Sequence, residues 1–301
     1  MSSPAYTESW RTGPEGTEFY TRLYKAPDPL AILVFVHGAA EHCGRYTEMH
    51  TKLAAEHRIS VFAFDLRGFG RTAADTEHKS PDSAYGRTWW PEQLDDLEWA
   101  ILEANQELGE ALPLFTMGTS QGGGVVVGLH CDPARANNPA VKTVHGVIGG
   151  STTVVLAKPL SGPLKWIFRQ LVRVSPWMVY PIRNKTEELS RNPESGKAYN
   201  EDPLIRTPGS LKGLYYMLEE GGMLLASRYA NWPKDLPVLF LHGDADPIVS
   251  YSSTKALFDK LPATDKKFIA YKGGYHELHF EPDGIKEKSM KNLVEFIHSH
   301  P

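Results

Sequence analysis

The chain has 301 residues, of which 41% are hydrophobic and 23% charged, and its formal net charge is −4 at pH 7. This length is enough for a sizeable core, and the composition is that of an ordinary globular protein and excludes a largely disordered chain. The acidic balance argues against a nucleic-acid surface, because no excess of cations is available to neutralise phosphates.

The sequence carries no obvious targeting or membrane-spanning segment. Its N-terminus lacks a basic stretch followed by an apolar core, so no secretory signal is expected. No apolar run of about 18 residues is present that could cross a bilayer. The two cysteines, Cys43 and Cys131, have neither a disulfide framework nor metal-ligand spacing. We therefore expect a cytoplasmic protein with reduced thiols and no metal, while peripheral association with lipid stays open.

Strand and helix patterns alternate along the first half of the chain. Residues Thr7–Trp10 and Glu18–Tyr24 alternate apolar and polar side chains and predict a hairpin at a sheet edge, whereas the polar segment Arg71–Arg87 predicts a loop. Continuous apolar runs predict strands buried on both faces, and helical spacing follows two of them. The predicted strands are Ala31–Val36, Ser60–Phe64, Leu114–Met117 and Thr143–Ile148, and the predicted helices are Tyr46–His57 and Pro91–Leu108.

This rhythm is interrupted once and then resumes. From Val155 to Arg228 no strand is predicted and the helical patches are short. Two strands, Pro237–Leu241 and Lys267–Tyr271, and a helix at Ile285–Ile297 complete the pattern. The alternation is typical of an α/β fold with a mostly parallel central sheet and helices on both faces. We expect a core of residues 1–154 and 229–301 with a helical cap inserted at 155–228.

Ser120 stands in a short glycine-flanked motif between a predicted buried strand and a valine-rich helix. The motif is Gly118-Thr119-Ser120-Gln121-Gly122. In a nucleophile elbow the serine lies on a strained strand-to-helix turn, and the flanking glycines let strand and helix approach closely. On the motif alone, a glycine-rich loop is an equally good interpretation, so the partners of the serine decide.

A serine nucleophile needs a base, and the base needs an acid that orients it. In an open parallel sheet these groups are expected at the carboxyl ends of the strands. Two acids follow the strand that resumes the pattern, and Asp246, deeper in the turn, is favoured over Asp244. Two histidines follow the last strand, and His276, which comes first, is favoured over His279. The order Ser120, Asp246, His276 is that of the α/β-hydrolase fold.

Two backbone amides are candidates for an oxyanion hole. One is the N–H of Gln121, which directly follows the serine at a helix N-terminus. The other comes from the loop after Ala31–Val36, where Ala39 is the natural choice.

Five motifs in order along the chain resemble the monoacylglycerol lipase family of α/β-hydrolases, and its fungal members most. They cover nearly the whole chain outside the expected cap. They are His37-Gly38-Ala39-Ala40-Glu41-His42 with Arg45-Tyr46, Asp65-x-Arg67-Gly68-x-Gly70, the Ser120 elbow, Gly243-x-x-Asp246, and Tyr275-His276-Glu277-Leu278-His279.

The resemblance implies a serine hydrolase that cleaves monoacylglycerols to fatty acid and glycerol through an acyl-enzyme, without a cofactor. It implies the triad Ser120, Asp246 and His276, with Ala39 and Gln121 as oxyanion donors. It further implies that Glu41, Arg45 and His279 help to bind glycerol, and the alternative is a structural network that braces the oxyanion loop. The family usually has His and Met beside the nucleophile, where this chain has Thr119 and Gln121. Alternatives are a lysophospholipase or general carboxylesterase, and a non-catalytic receptor or interaction module on the same fold.

The expected cap contains a basic amphipathic helix. Such a helix suits an interface with anionic lipid, and we expect peripheral contact with membranes or lipid droplets. The alternative is an apolar face that packs on the core. The apolar positions are Leu164, Ile167, Phe168, Leu171 and Val172, the basic ones are Lys165, Arg169 and Arg173, and Trp166 adds bulk.

Overall fold

Eight strands form one sheet in the computed structural model, which describes residues 5–180, 183–207 and 209–301. The spatial order is β1-β2-β4-β3-β5-β6-β7-β8. The β1–β2 and β2–β4 pairs are antiparallel, and all other pairs are parallel. The strands are β1 (Thr7–Thr12), β2 (Glu18–Tyr24), β3 (Ala31–Val36), β4 (Ile59–Phe64), β5 (Leu114–Thr119), β6 (Val144–Gly150), β7 (Val238–Gly243) and β8 (Lys266–Tyr271).

Helices cover both faces of this sheet. Leu97 of α3 and Val126 of α4 belong to the apolar cluster on one face, and Leu53 of α1 and Leu293 of α11 belong to the cluster on the other. The predicted α/β-hydrolase architecture is confirmed. The helices are α1 (Thr47–His57), α2 (Gly70–Ala74), α3 (Trp90–Leu108), α4 (Gln121–Cys131), α5 (Pro139–Thr143), α6 (Gly162–Val174), α7 (Thr186–Leu189), α8 (Pro193–Glu201), α9 (Leu211–Ala226), α10 (Tyr251–Lys260) and α11 (Ile285–His298).

Outside the stretch between β6 and β7, three helices were not predicted from the sequence. Helix α2 lies in the segment predicted as a loop, so that prediction is wrong at its start. Helices α2 and α5 have five residues each, which is too short for a hydrophobic period to show. Helix α10 begins at a side-chain cap, in which the hydroxyl of Ser250 accepts from the amide of Ser253 at 3.2 Å.

The stretch between β6 and β7 carries helices α6 to α9. Its described residues take part in only two isolated β-bridges, Leu156 with Val249 and Val179 with Ser210. Helix α9 is anchored to the core by Leu224, which is fully buried in the same cluster as α3 and α4. We propose that residues 155–228 are the cap.

None of the helices in the described residues is long and apolar enough to cross a membrane. Nor do these residues include a group of three or more His, Cys, Asp or Glu side chains that could hold a metal ion.

Two buried histidines should make the fold sensitive to acid. The ring nitrogens of His50 and His130 have no hydrogen-bond partner among the described residues, and burial lowers the pKa of each ring to about 3. In the unfolded chain an imidazole has a pKa of about 6.5, so the unfolded state binds more protons at intermediate pH. The contribution of each ring to the free energy of unfolding is therefore fully present above a pH of about 6.5. It decreases by about 1.4 kcal/mol per pH unit as the pH drops toward 3.

We expect His130→Leu to reduce this slope, as measured by urea unfolding between neutral and mildly acidic pH. The exposed His298 provides the matched control, because His298→Leu should leave the slope unchanged. Equal pH dependence of unfolding in wild type and His130→Leu would refute this explanation of acid sensitivity.

Candidate active site

Ser120 occupies a strained turn between β5 and α4. Its backbone dihedral angles are φ 53° and ψ −119°, a conformation that L-residues rarely adopt and that costs energy unless its surroundings hold it. Here the amide of Ser120 donates to the carbonyl of Gly150 at 2.8 Å, and its carbonyl accepts from the amides of Thr153 and Gly124 at 3.0 and 3.2 Å. These bonds hold the serine at the turn, where its side chain lines a cavity.

The glycines of the motif are required by the backbone around them. A Cβ at position 118 would lie 2.1 Å from the carbonyl oxygen of Gly122, and a Cβ at position 122 would lie 2.3 Å from that of Val36. Backbone atoms cannot move aside as a flexible side chain can. The glycines therefore permit the close approach of strand and helix that the sequence motif predicts.

His276 and Asp246 form a buried pair at the ends of the neighbouring β7 and β8. Nδ1 of His276 donates to Oδ2 of Asp246 at 2.8 Å. The other carboxylate oxygen, Oδ1, accepts from the amides of Ile248 and Val249 at 2.8 and 3.0 Å. Nε2 of His276 is thereby left for another partner, and its ring lines the same cavity as Ser120.

The electrostatics of this pair suit an acid that stabilises a charged imidazole. Burial alone would raise the pKa of Asp246, but the neighbouring His276 and His242 hold it well below its ordinary value. Burial would likewise lower the pKa of His276, but Asp246 outweighs this effect and raises it. Asp246 thus stays ionised and His276 becomes a stronger base.

No hydrogen bond joins the Ser120 hydroxyl to the His276 ring among the described residues. Within the described residues, Oγ of Ser120 has its one hydrogen-bond partner in Oγ1 of Thr153, at 3.4 Å. Such bonds are often long in a free enzyme and shorten when substrate is bound. The structure brings Ser120 and His276 to one cavity and leaves the final contact to be made there.

The alternative acid and base have different surroundings. Asp244 is exposed and accepts from the amide of Gly273 at 2.6 Å, so it caps the turn. Burial lowers the pKa of His279 to about 3 against the opposing influence of Glu41, which makes its ring a weak proton acceptor at neutral pH. Both observations favour Asp246 and His276.

Glu41 and Arg45 belong to a buried network that braces the loop after β3. Oε1 of Glu41 accepts from the amide of Gly38 at 2.6 Å and from the hydroxyl of Tyr46 at 2.7 Å. Arg45 donates to Oε2 of Glu41 at 2.5 Å and binds both oxygens of Glu277 at 2.6 and 2.9 Å. Burial would raise the pKa of Glu41, but Arg45 lowers it. These contacts are those of the bracing alternative, and Arg45 does not line the cavity with Ser120.

The two expected oxyanion donors belong to the loop after β3 and to the start of α4. Ala39 lines the cavity beside Gly38, and Gln121 is the first residue of α4. Within the described residues neither amide donates a hydrogen bond to the protein. The same loop is tied to the region between β6 and β7, because Nε2 of His42 donates to Asp202 at 2.8 Å.

The cavity at Ser120 has a volume of about 450 Å³ and combines a polar end with long apolar walls. Glu41, His276 and His279 lie at the polar end together with the serine. We call this space the acyl cavity. Its apolar wall is formed mainly by Leu156, Leu160, Leu164, Ile167, Phe168, Leu171, Leu211, Leu214, Met217 and Leu218.

Several contributing residues were not assigned a role from the sequence. Glu277 pairs with Arg45 from 232 positions away, a separation that no local pattern reports. Nε2 of the fully buried His242 lies 3.1 Å from Oδ2 of Asp246. The one feature of the sequence that points to this contact is the position of His242 at the end of β7, just before the candidate acids.

The comparisons with known proteins agree with this geometry. A family model described as serine aminopeptidase, S33, matches residues 27–283. The chain is 30% identical over 291 residues to a monoglyceride lipase of Mus musculus, covering 94% of this chain and 88% of that protein. It is 27% identical over 281 residues to a monoacylglycerol lipase of Mycolicibacterium smegmatis, covering 91% and 90%.

A similar fold is found in a solved structure. The crystal structure of a soluble variant of monoglyceride lipase from Saccharomyces cerevisiae, in complex with a substrate analogue, superposes with a TM-score of 0.85. It covers 100% of this chain and 96% of that chain at 20% identity, which supports the fold alone. With the extent of the family match and the identity to the mouse protein, the chain belongs to the serine aminopeptidase S33 family of α/β-hydrolases and, within it, to the monoglyceride lipases.

Proposed function

We propose that this chain hydrolyses monoacylglycerols to a fatty acid and glycerol through an acyl-enzyme on Ser120. The observation that carries the proposal is the shared cavity. A strained serine and an imidazole bound to a buried carboxylate face the polar end of a space whose remaining walls are apolar. The names of the relatives point to the same substrate class.

The chemistry follows from the positions of the proposed residues. Oγ of Ser120 attacks the ester carbonyl while its proton passes to Nε2 of His276. The amides of Ala39 and Gln121 stabilise the oxyanion, and Asp246 stabilises the imidazolium. The imidazolium then protonates the departing glycerol oxygen. Water then attacks the acyl-enzyme while its proton passes to the neutral His276, and His276 returns a proton to Ser120 as the fatty acid is released.

The ends of the cavity suit the two ends of the substrate. The apolar wall suits an acyl chain, because each buried methylene contributes about 0.8 kcal/mol. At the polar end, Nε2 of His279 is buried, finds no partner in the part of the chain that the structure describes, and can bond a glycerol hydroxyl beside Glu41. In this proposal Arg45 acts through Glu41 and positions it.

Hydrolysis rates on three esters test the assignment. We expect kcat/KM for a long-chain monoacylglycerol to exceed that for lysophosphatidylcholine and for a short nitrophenyl ester by at least about tenfold. Burial of the acyl chain favours it over the short ester, and the polar end favours its glycerol over a phosphocholine headgroup. Faster hydrolysis of lysophosphatidylcholine would indicate a lysophospholipase instead. Comparable rates on all three would indicate a general carboxylesterase.

We also propose that α6 docks on an anionic lipid surface. No residue of this helix is buried, so the alternative in which its apolar face is packed away in the core is not favoured. Trp166 and Val174 are 64% and 85% exposed and do not line the acyl cavity. The cations Lys165, Arg169 and Arg173 are exposed on the same helix and suit negatively charged headgroups.

Vesicle flotation with Trp166→Ser/Val174→Ser should reveal this contact. We expect binding to vesicles with anionic lipid to fall by about tenfold or more, because two apolar side chains no longer enter the interface. Activity on a soluble ester should be unchanged. Leu102→Ser, at a side chain of α3 that is 45% exposed, is the matched control. Unchanged vesicle binding in the double variant would exclude this docking surface.

A further inference from the structure

A second, smaller cavity lies against the acyl cavity between α6, α9 and the segment that follows β6. Its volume is about 210 Å³, which is close to half that of the acyl cavity. We call it the side chamber. The two spaces share part of their lining, and the shared side chains form the partition between them: Leu156, Leu160, Phe168 and Leu218.

The side chamber has an apolar interior and a charged end. Val154, Val155 and Met223 contribute apolar lining. Lys165 and Glu219 also line it, and both are exposed, so they mark its solvent side. Because the lining is apolar next to the acyl cavity and charged at its solvent side, the side chamber suits a hydrocarbon chain that enters it from the acyl cavity.

We propose that the side chamber receives the far end of long acyl chains and that Phe168 sets the chain length at which it is entered. This inference rests on the proposed function and adds its chain-length specificity. Phe168 is half-buried in the partition on a helix with no buried residue, and its ring lies 6.2 Å from that of Tyr215 between centroids. Because open space lies on both sides of this side chain, it has room to turn aside for a chain that has outgrown the acyl cavity. Shorter chains end before they reach it.

Gly222 offers a way to close the chamber without disturbing the fold. It lies inside α9 and lines the side chamber but not the acyl cavity. A Cβ added there meets no atom within 4 Å, and its φ is not in the left-handed region. Gly222→Leu therefore fills the chamber while improving helix propensity. Gly222→Ala improves propensity while filling little, which makes it the matched control.

The test measures kcat/KM for monoacylglycerols from octanoyl to eicosanoyl. We expect Gly222→Leu to reduce the value for the longest chains by at least about tenfold relative to Gly222→Ala, since each methylene excluded from apolar surroundings costs about fourfold. Octanoyl hydrolysis should be equal in both. Phe168→Ala should shift the preference toward longer chains, whereas Leu171→Ala, in the acyl cavity alone, should lower all values without moving the preference.

Identical chain-length profiles in Gly222→Leu and Gly222→Ala would overturn the inference. Failure of the proposed function gives a different result, because wild type would then hydrolyse no monoacylglycerol of any length. The two failures are therefore distinguishable in one set of measurements.

Discussion

Ser120→Ala is expected to reduce kcat by about 10⁶, with the small remaining rate supplied by the oxyanion donors and by substrate binding. The hydrogen-bond partner of this hydroxyl within residues 5–180, 183–207 and 209–301 is Thr153, at the long distance of 3.4 Å, so its removal should leave the fold intact. Steady-state hydrolysis of a monoacylglycerol measures the loss. A thermal unfolding scan shows that the variant is folded.

Ser151 is the matched control, because it shares several features with Ser120. It follows the neighbouring strand β6, has a positive φ of 42°, and donates from its hydroxyl to the carbonyl of His276 at 2.6 Å. We expect Ser151→Ala, which loses this one hydrogen bond worth about 1 kcal/mol, to lower kcat roughly fivefold. A larger loss of kcat in Ser151→Ala than in Ser120→Ala would show that Ser120 is not the nucleophile.

Asp246→Asn is expected to lower kcat by about 10⁴ with little change in structure. An amide NH₂ in place of Oδ2 cannot accept from Nδ1 of His276, so the ring turns or takes the other tautomer. The negative charge that raises the pKa of His276 is lost as well. Because hydrolysis needs the neutral ring, the rising limb of the pH–rate profile should move to lower pH in the variant.

Asp244→Asn separates this effect from a general loss of acidity in the same turn. Its side chain bonds the amide of Gly273 and none of the described histidines, so kcat should stay within about threefold of wild type and the pH profile should not move. If Asp244→Asn were as inactive as Asp246→Asn, the assignment of Asp246 as the acid would be wrong.

The strands could be predicted closely because burial on both faces leaves a direct trace in the sequence. The predicted strand Ala31–Val36 has the observed bounds, since every side chain of that strand is buried and apolar. Helix α10 carries a weaker pattern, which does not predict a helix. The helical stretch between β6 and β7 is visible as an interruption, but the sequence cannot separate the α6 side chains that line the acyl cavity from those, such as Trp166 and Val174, that do not.

The site was predictable where chemistry restricts residue type and not where it depends on distant contacts. The sequence left Asp244 and Asp246 as alternatives, because choosing between them depends on which carboxylate the turn directs at His276. The pairing of Arg45 with Glu277 joins the loop after β3 to the loop after β8. Only the folded sheet brings these loops together, so the bracing role of Glu41 and Arg45 could be named as an alternative but not preferred.

Labelling with a fluorophosphonate, followed by peptide mass mapping, tests the central claim most directly. The reagent phosphonylates a serine hydroxyl that a neighbouring base has activated. We predict a single adduct on Ser120 in the wild type, formed far more slowly in His276→Ala and absent in Ser120→Ala. An adduct on another serine, or full hydrolytic activity without any adduct, would contradict the assignment of Ser120 and His276 as nucleophile and base.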